Sequence, residues 1–428
     1  MKKERFDCIV IGGGPAGLMA AYSAAKHGAS VCLLEKGEKL GRKLIISGGG
    51  RCNVTNAKEL EELIKQIPGN GRFMHSAFAQ FNNQDIIYFF EGMGVSLKEE
   101  DRGRMFPTTD KAITVANALV SQLKHEGVQI RLHAEVERIL YEREACSGVE
   151  LKNGEILGTK AVIVASGGCS VPQTGSTGDG YKWAKAAGHT ITDLYPTEVP
   201  LRVSDDLIKQ KTLQGLSLRD VELTLTDPKG KRVTTQEGDM IFTHFGISGP
   251  AVLRLGHYVS VTQRKFGTVP LQLTIDLLPY RSIDIISQET WKLCEEQPKK
   301  SIKNALKGYI PERLIPVLLQ KAEIDEETTF SHLNKQKWQH FTRFIKSFPL
   351  TIIGTLSLEE AFITGGGIQT KEVDPKTMQS KKAGGLFFAG EVLDVHAHTG
   401  GYNITIAFSS GYVAGLHAAQ YTLYFIEK

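Results

Sequence analysis

Three things are missing from this chain of 428 residues. Its six cysteines, Cys8, Cys32, Cys52, Cys146, Cys169 and Cys294, form no CxxC pair, which removes the usual zinc and dithiol spacings. A chain of this length builds its core without disulfides, so reduced thiols and a cytoplasmic setting are expected. Nowhere do about 18 uncharged apolar residues run together. The apolar stretch from Tyr402 to Phe425 is punctuated by Ser409, Ser410, Gly411, Gly415 and His417 and predicts a buried C-terminal helix without a membrane partner. No block of like charge occurs either: 51 basic and 47 acidic side chains are scattered to a net +4, a balance that predicts no nucleic-acid partner. No metal-ligand cluster and no Ser/His/Asp triad stands out, so no metal is expected.

What is abundant is glycine, with 44 residues against the roughly 7% of an average chain. Length alone predicts two or three domains, because single cores stop growing near about 250 to 300 residues. The start, with Lys2, Lys3 and Arg5 ahead of an apolar run, imitates an export signal. Asp7 and the glycines at 12–14 interrupt that run, and a first β-strand is the better reading.

That strand, Phe6 to Ile11, stops at Gly12, Gly13, Gly14, Pro15, Ala16 and Gly17, after which Leu18 to Lys26 has helical character. Strand, tight turn and helix in this order suit a dinucleotide. Gly12 makes the turn, Gly14 lets the main chain approach a pyrophosphate, and Gly17 lets the helix pack on the strand. The helix N-terminus then offers its N–H groups to the phosphates. A second strand, Ser30 to Leu34, ends in Glu35, where a carboxylate can accept both ribose hydroxyls.

This half-site fits NAD or FAD equally. A second cluster, SGGGRCNVTN at 47–56, brings Gly49, Gly50, Arg51, Cys52 and Asn53, with Arg51 expected to face the phosphates or the flavin. Two more strands, Ala161 to Ala165 and Leu386 to Ala389, lead into Gly167, Gly168 and into Gly390, Glu391. Ligands of doubly wound sheets lie at such carboxyl edges. Glycine sites separated by hundreds of residues therefore predict one extended cofactor, FAD, across a domain assembled from distant pieces.

The segments SGGGRCNVTN (47–56), TGSTGDGYKWAKAAGH (174–189), FTHFGISGPAVL (242–253), ITGGGI (363–368) and AGEVLDVHAHTGGYNITIAFSSGYVAG (389–415) resemble the BaiN-type NAD(P)/FAD-dependent oxidoreductases. These are relatives of the fumarate reductase flavoproteins and ketosteroid dehydrogenases, and the likeness spans nearly the whole chain. It implies Lys36, Arg42 and Lys43 near the adenosine end and Val136, in a strand over 132–140, holding adenine through its backbone. It further implies Gly390, Glu391 and Asp394 at the ribityl chain and pyrophosphate, with Gly401, Tyr402, Asn403 and Ile404 at the flavin ring. The glycine cluster contains no histidine for covalent attachment, so non-covalent FAD is expected; its electrons could come from NAD(P)H docking transiently, from a protein donor or from the substrate itself.

The fold class predicted is α/β: a discontinuous Rossmann-like FAD-binding domain (1–190 and 351–428) interrupted by a β-barrel-like domain (191–281) and a small helical subdomain (282–350). The insert has no second GxGxxG, which argues against a dedicated nicotinamide domain. For chemistry, His396 and His398 flank the approach to Gly401 and could supply the proton that accompanies hydride transfer. They could equally serve to hold that loop. Arg51 could orient a substrate carboxylate. Arg104 could do the same but reads rather as structurally paired, His244 could enter the cleft from the inserted domain but reads rather as a core histidine, and Asp179 reads as a residue beside the flavin or of a turn. The function expected is reduction or dehydrogenation of a small organic substrate, with an activated C=C bond as one form. FAD-dependent tRNA modification and a non-catalytic flavin redox sensor are the alternatives.

Overall fold

The structure, a computed structural model, describes residues 4–424; Lys2, Lys3 and Phe425, used above in reading the two ends, lie outside the described residues. Packing divides the chain into two compact units. One holds the residues up to Tyr195 and from Leu358 on, and the other is Pro196–Ser357.

The first unit opens with β1 (Cys8–Ile11), α1 (Pro15–Lys26) and β2 (Val31–Leu34), followed by the kinked helix α2 (Arg42–Gly50). Further on come β3 (Gln129–Arg131), β4 (Ala161–Val164) and α3 (Asp179–Ala186). Every residue of β1, β2 and β4 is buried, as expected of parallel strands covered on both faces, whose sequences read as unbroken apolar runs. The strand around Val136 is shorter than the predicted 132–140 span: it covers Val136–Glu142 and pairs antiparallel with Ala145–Leu151.

The second unit is built around a closed six-stranded barrel. Its strands are β5 (Leu201–Val203), β6 (Ser217–Thr226), β7 (Arg232–Phe242), β8 (Gly246–Ser248), β9 (Leu271–Asp276) and β10 (Phe348–Thr355). They are joined in the order β5-β8-β7-β6-β9-β10. Closure leaves no edge strand to be protected. The helix α4 (Pro250–Phe266) packs Ala251, Val252, Leu255 and Val259 into the same apolar cluster as Leu223, Leu225 and Leu273 of the barrel. The helical stretch α5 (Ile283–Glu295), α6 (Leu314–Lys321) and α7 (Lys335–Lys346) contributes Ile286, Leu318 and Phe341 to that cluster. Barrel and helices thus share one core, where composition alone divided them at 281/282.

The chain then returns to the first unit with β11 (Leu386–Phe388) and the long helix α8 (Tyr402–Tyr424). β11 completes a five-stranded parallel sheet in the order β11-β4-β1-β2-β3. The first strand of the chain lies in the middle, and the last lies at an edge beside β4.

α8 lies directly on α1. A Cβ at Gly411 would stand 2.3 Å from the Ala16 carbonyl oxygen, and one at Gly415 would stand 2.2 Å from that of Ala20. The four-residue spacing puts both glycines on one face, and only hydrogen side chains there permit so close an approach. Gly415→Val should cost about 2 kcal/mol or more through overpacking. A chemical denaturation midpoint unchanged by that substitution would show that the crossing is not as tight as described.

Candidate functional site

The carboxyl ends of β1, β2, β4 and β11 converge on the turn between β1 and α1. Gly12 has φ +108°, and a Cβ on it would be 2.5 Å from the Ala165 carbonyl oxygen at the end of β4. Gly17 approaches even more closely, its Cβ position being 1.8 Å from the Gly12 oxygen. Gly14 is the N-cap of α1 with no side-chain cap, and Pro15 follows at the first helical position. Nothing lies within 4 Å of a Cβ built on Gly14. Open space therefore faces the start of α1, where a helix leaves its N–H groups without intrahelical partners.

Glu35 closes β2. Its carboxylate accepts the Gly13 N–H at 2.8 Å and the Gly37 N–H at 2.7 Å. Of its roughly four acceptor positions, about two remain for ribose hydroxyls. The Ala134 N–H donates to the Glu35 carbonyl at 3.0 Å, which carries the chain past this carboxylate into buried Val136. Arg42 donates to the Gln173 carbonyl, and Lys36 pairs with Asp179. Asp179 is thus an ion-pair partner as well as the first residue of α3.

Lys43 is engaged with the C-terminal segment and with the loop after β4. Its ammonium donates to Glu391 at 2.7 Å and to Ser170 at 2.8 Å. Glu391 also accepts from the Ser170 hydroxyl at 2.9 Å and the Thr364 N–H at 2.8 Å. Burial alone would raise this carboxyl, but the Lys43 charge and these hydrogen bonds outweigh it and hold the group below its ordinary range. Gly168 packs on Thr364, and Gly167, with φ +76°, packs on Ser176.

The C-terminal segment reaches the same turn. A Cβ on Gly390 would be 2.7 Å from that of Ala16, and one on Gly401 would be 2.5 Å from the Thr55 oxygen and 2.9 Å from Asn53 Oδ1. Asn53 Oδ1 and Ser166 Oγ are among the buried side-chain atoms without a hydrogen-bond partner, whereas buried polar groups are ordinarily paired. Open space at Gly14, the two orphaned oxygens and the half-used Glu35 carboxylate fit a dinucleotide cofactor laid from Glu35 past Ala16 to Asn53.

Three sequence expectations change. Arg51 does not face this space: its guanidinium pairs with Glu100 and with Asp110 at 2.6 Å and lies 4.2 Å over the Phe106 ring. Two carboxylates and a ring from neighbouring elements occupy its guanidinium. Asn403 clamps backbone instead of reaching outward. It accepts the Ala397 N–H at 2.8 Å and donates to the Ala397 carbonyl at 2.7 Å. His244 is exposed, not a core histidine. Arg104 donates to the Asp101 carbonyl.

Cys52 is fully buried with φ +61°, and burial pushes its thiol up to about 12. It therefore shapes the loop as a neutral thiol. Gly49 and Gly50 beside it border open space.

His396 and His398 are both buried, in a loop laced to an earlier segment. Gly69 and His396 exchange backbone hydrogen bonds, and the His398 N–H donates to the Gln66 carbonyl at 2.9 Å. The His396 ring lies flush on Gly69, where a Cβ would stand 2.2 Å from it, and meets the edge of Tyr195 at 5.9 Å. Nothing in residues 66–69 signalled this pairing beforehand. Asp394, half-buried, donates its N–H to the Ile368 carbonyl. Tyr402 is buried and Ile404 half-buried in the first turn of α8. Among the described residues no group of three or more His, Cys, Asp or Glu is arranged to hold a metal, and no helix is long and apolar enough to cross a membrane.

A parallel sheet with a glycine turn at its carboxyl edge, completed from the far end of the chain, defines a Rossmann-type flavin-dependent oxidoreductase. The chain belongs to the HI0933-like family, whose Rossmann domain matches residues 6–417. It is similar to the ribosomal RNA dihydrouridine synthase of Haemophilus influenzae, with 33% identity over 96% of this chain and 98% of that one. It is also similar to the 3-dehydro-bile acid delta(4,6)-reductase of Clostridium scindens, with 30% identity over 96% and 98%. Among solved structures, the 3-ketosteroid delta1-dehydrogenase of Sterolibacterium denitrificans shares the fold at 14% identity and a TM-score of 0.50, covering 97% of this chain and 99% of that one.

Glu391→Gln leaves Lys43 without a charged partner in a largely buried site, and a loss of about 3 kcal/mol is expected at neutral pH. The folded-state carboxyl is depressed, so its contribution is full above the ordinary value near about 4.3 and fades as pH falls through the lowered one. Denaturation curves should therefore show the gap between wild type and variant closing in acid; a gap that widens there would contradict the pairing.

Proposed function

We propose that this chain is an FAD-dependent reductase of a C=C bond conjugated to a carbonyl. The observation that carries the cofactor is the meeting of Gly390 with Ala16 and of Gly401 with Asn53 and Thr55, which joins both ends of the chain around one open space. In this reading Gly12, Gly14, Ala16 and Gly17 border the pyrophosphate, Glu35 takes the adenosine ribose, and Val136 borders adenine. Glu391 keeps one acceptor position for a ribityl hydroxyl, and Asn53, Gly401 and Tyr402 border the flavin ring. When bound, FAD supplies the two-electron hydride chemistry that side chains lack.

The substrate class rests on what the relatives' reactions have in common. Dihydrouridine is uridine with the double bond beside its carbonyl saturated, and a bile-acid delta(4,6)-reductase removes double bonds in line with a ketone. Both reactions add a hydride to one carbon and a proton to the other. The two electrons would come from a nicotinamide that docks transiently, since the second unit carries no further GxGxxG. Six unpaired cysteines suit a reducing, cytoplasmic setting.

For the proton we assign His398. The His396 ring is wedged on Gly69 and Tyr195, which makes it a brace for the loop. His398 lies two residues before the Gly400–Gly401 turn, and Asn403 holds its carbonyl at 3.3 Å. Histidine is the side chain that most often transfers a proton in such steps.

The purified protein should be yellow and should oxidise NADH or NADPH when given an α,β-unsaturated ketone or a uracil-containing oligonucleotide. His398→Ala should lower kcat by about a hundredfold or more with flavin content and flavin reduction unchanged. Turnover at the wild-type rate in that variant would remove His398 from the chemistry, and a colourless protein that takes up no added FAD would end the whole reading.

A further inference from the structure

The net charge of +4 is unevenly held once the chain is folded. Residues 196–357 carry 22 Lys and Arg against 18 Asp and Glu, and the other unit is balanced at 29 of each. Several of the excess cations gather at one end of the barrel. The turn from β6 to β7 carries Lys229, Lys231 and Arg232, and α4 ends in Arg264, Lys265 and Phe266. All five cations are exposed, and Phe266 is half-buried. Lys229 Nζ lies 5.8 Å and Lys265 Nζ 5.1 Å from the Phe266 ring centroid, so both elements present one surface.

The carboxylates nearby offset only part of it. Asp227 Oδ1 accepts the Lys229 and Lys231 N–H groups, each at 2.9 Å, which shapes the turn. Glu222 and Glu237 face each other across the hairpin, four residues back from Thr226. At about 3.4 Å per residue that is about 14 Å away, beyond the screening length of about 8 Å. None of Lys229, Lys231, Arg232 and Lys265 has an ion pair among the described residues. A helix C-terminus favours cations, which accounts for Arg264 and Lys265. It does not account for three more from a different element around an aromatic ring.

Cations flanking an accessible ring are the means by which proteins hold single-stranded nucleic acid, with phosphates on Lys and Arg and a base on the aromatic face. We propose that this end of the barrel is a docking surface for single-stranded RNA. The choice of RNA over other polyanions rests on the reading of the chain as a C=C reductase with a uracil among its substrates. The scattered charge of the sequence concealed the surface, because its cations come from positions more than thirty residues apart.

The test is fluorescence anisotropy of the FAD-loaded protein with a labelled uridine-containing RNA of about 20 nucleotides, across a salt series. Affinity should fall with salt by a log–log slope of about 0.7 per phosphate held. Lys229→Gln/Lys231→Gln/Arg232→Gln should reduce that slope by about 2 and weaken binding tenfold or more. Phe266→Ala should weaken it about tenfold with the slope unchanged. Flavin content and turnover of a small unsaturated ketone should not move in either variant. Wild type that fails to bind the RNA at low salt, variants that bind it like wild type, or preference for phosphatidylserine vesicles over RNA would each overturn the proposal. RNA binding that the variants weaken, in a protein that reduces no C=C bond, would support the docking surface and overturn the reductase reading instead.

Discussion

The arrangement described depends on one helix crossing. α8 can lie on the backbone of α1 because Gly411 and Gly415 offer no side chain between them, and the sheet strand that precedes α8 is then drawn in beside β4. Every later feature of the site follows from this. Gly390 arrives at Ala16, Gly401 arrives at Asn53 and Thr55, and the start of α1 is left facing open space lined from three distant parts of the chain. Dispersion and apolar burial hold the crossing, and both reward close packing steeply.

Much of this was legible beforehand. The apolar runs at 6–11, 30–34 and 161–165 read as buried strands of a parallel sheet, and the glycine turn followed by Glu35 carried its own geometry. The barrel, the helical stretch and the return of the chain to its first fold were also visible, as alternation, as a change of composition and as glycine at strand ends. Legibility stopped at side-chain partnerships. Arg51 looked available for phosphate because Glu100 and Asp110 are distant in sequence and arrive only through tertiary folding. The destination of Lys43 was hidden for the same reason, with Glu391 lying 348 residues away. The brace between residues 66–69 and the His396 loop has no periodicity to announce it.

Polar residues near the open space therefore fall into two groups with different physics. Glu391, Lys43, Ser170 and Thr364 satisfy one another, as do Asn403 and the backbone at Ala397. Such closed networks rigidify the walls, and their value lies in holding geometry. Asn53, Ser166 and the outer lone pairs of Glu35 retain capacity, and only these can gain hydrogen bonds when a ligand enters. A wall that is already satisfied together with a floor that is not is the condition for binding without rearrangement.

The sharpest test of the convergence uses Gly14, whose Cβ position is empty and whose φ of −79° any residue tolerates. Gly14→Val should fold as stably as the wild type while filling the space in front of α1. Flavin released on denaturation should amount to about one FAD per chain for wild type and close to none for the variant. A folded Gly14→Val protein that retains stoichiometric FAD would contradict the account, because the cofactor would then lie somewhere other than the turn on which both ends of the chain converge.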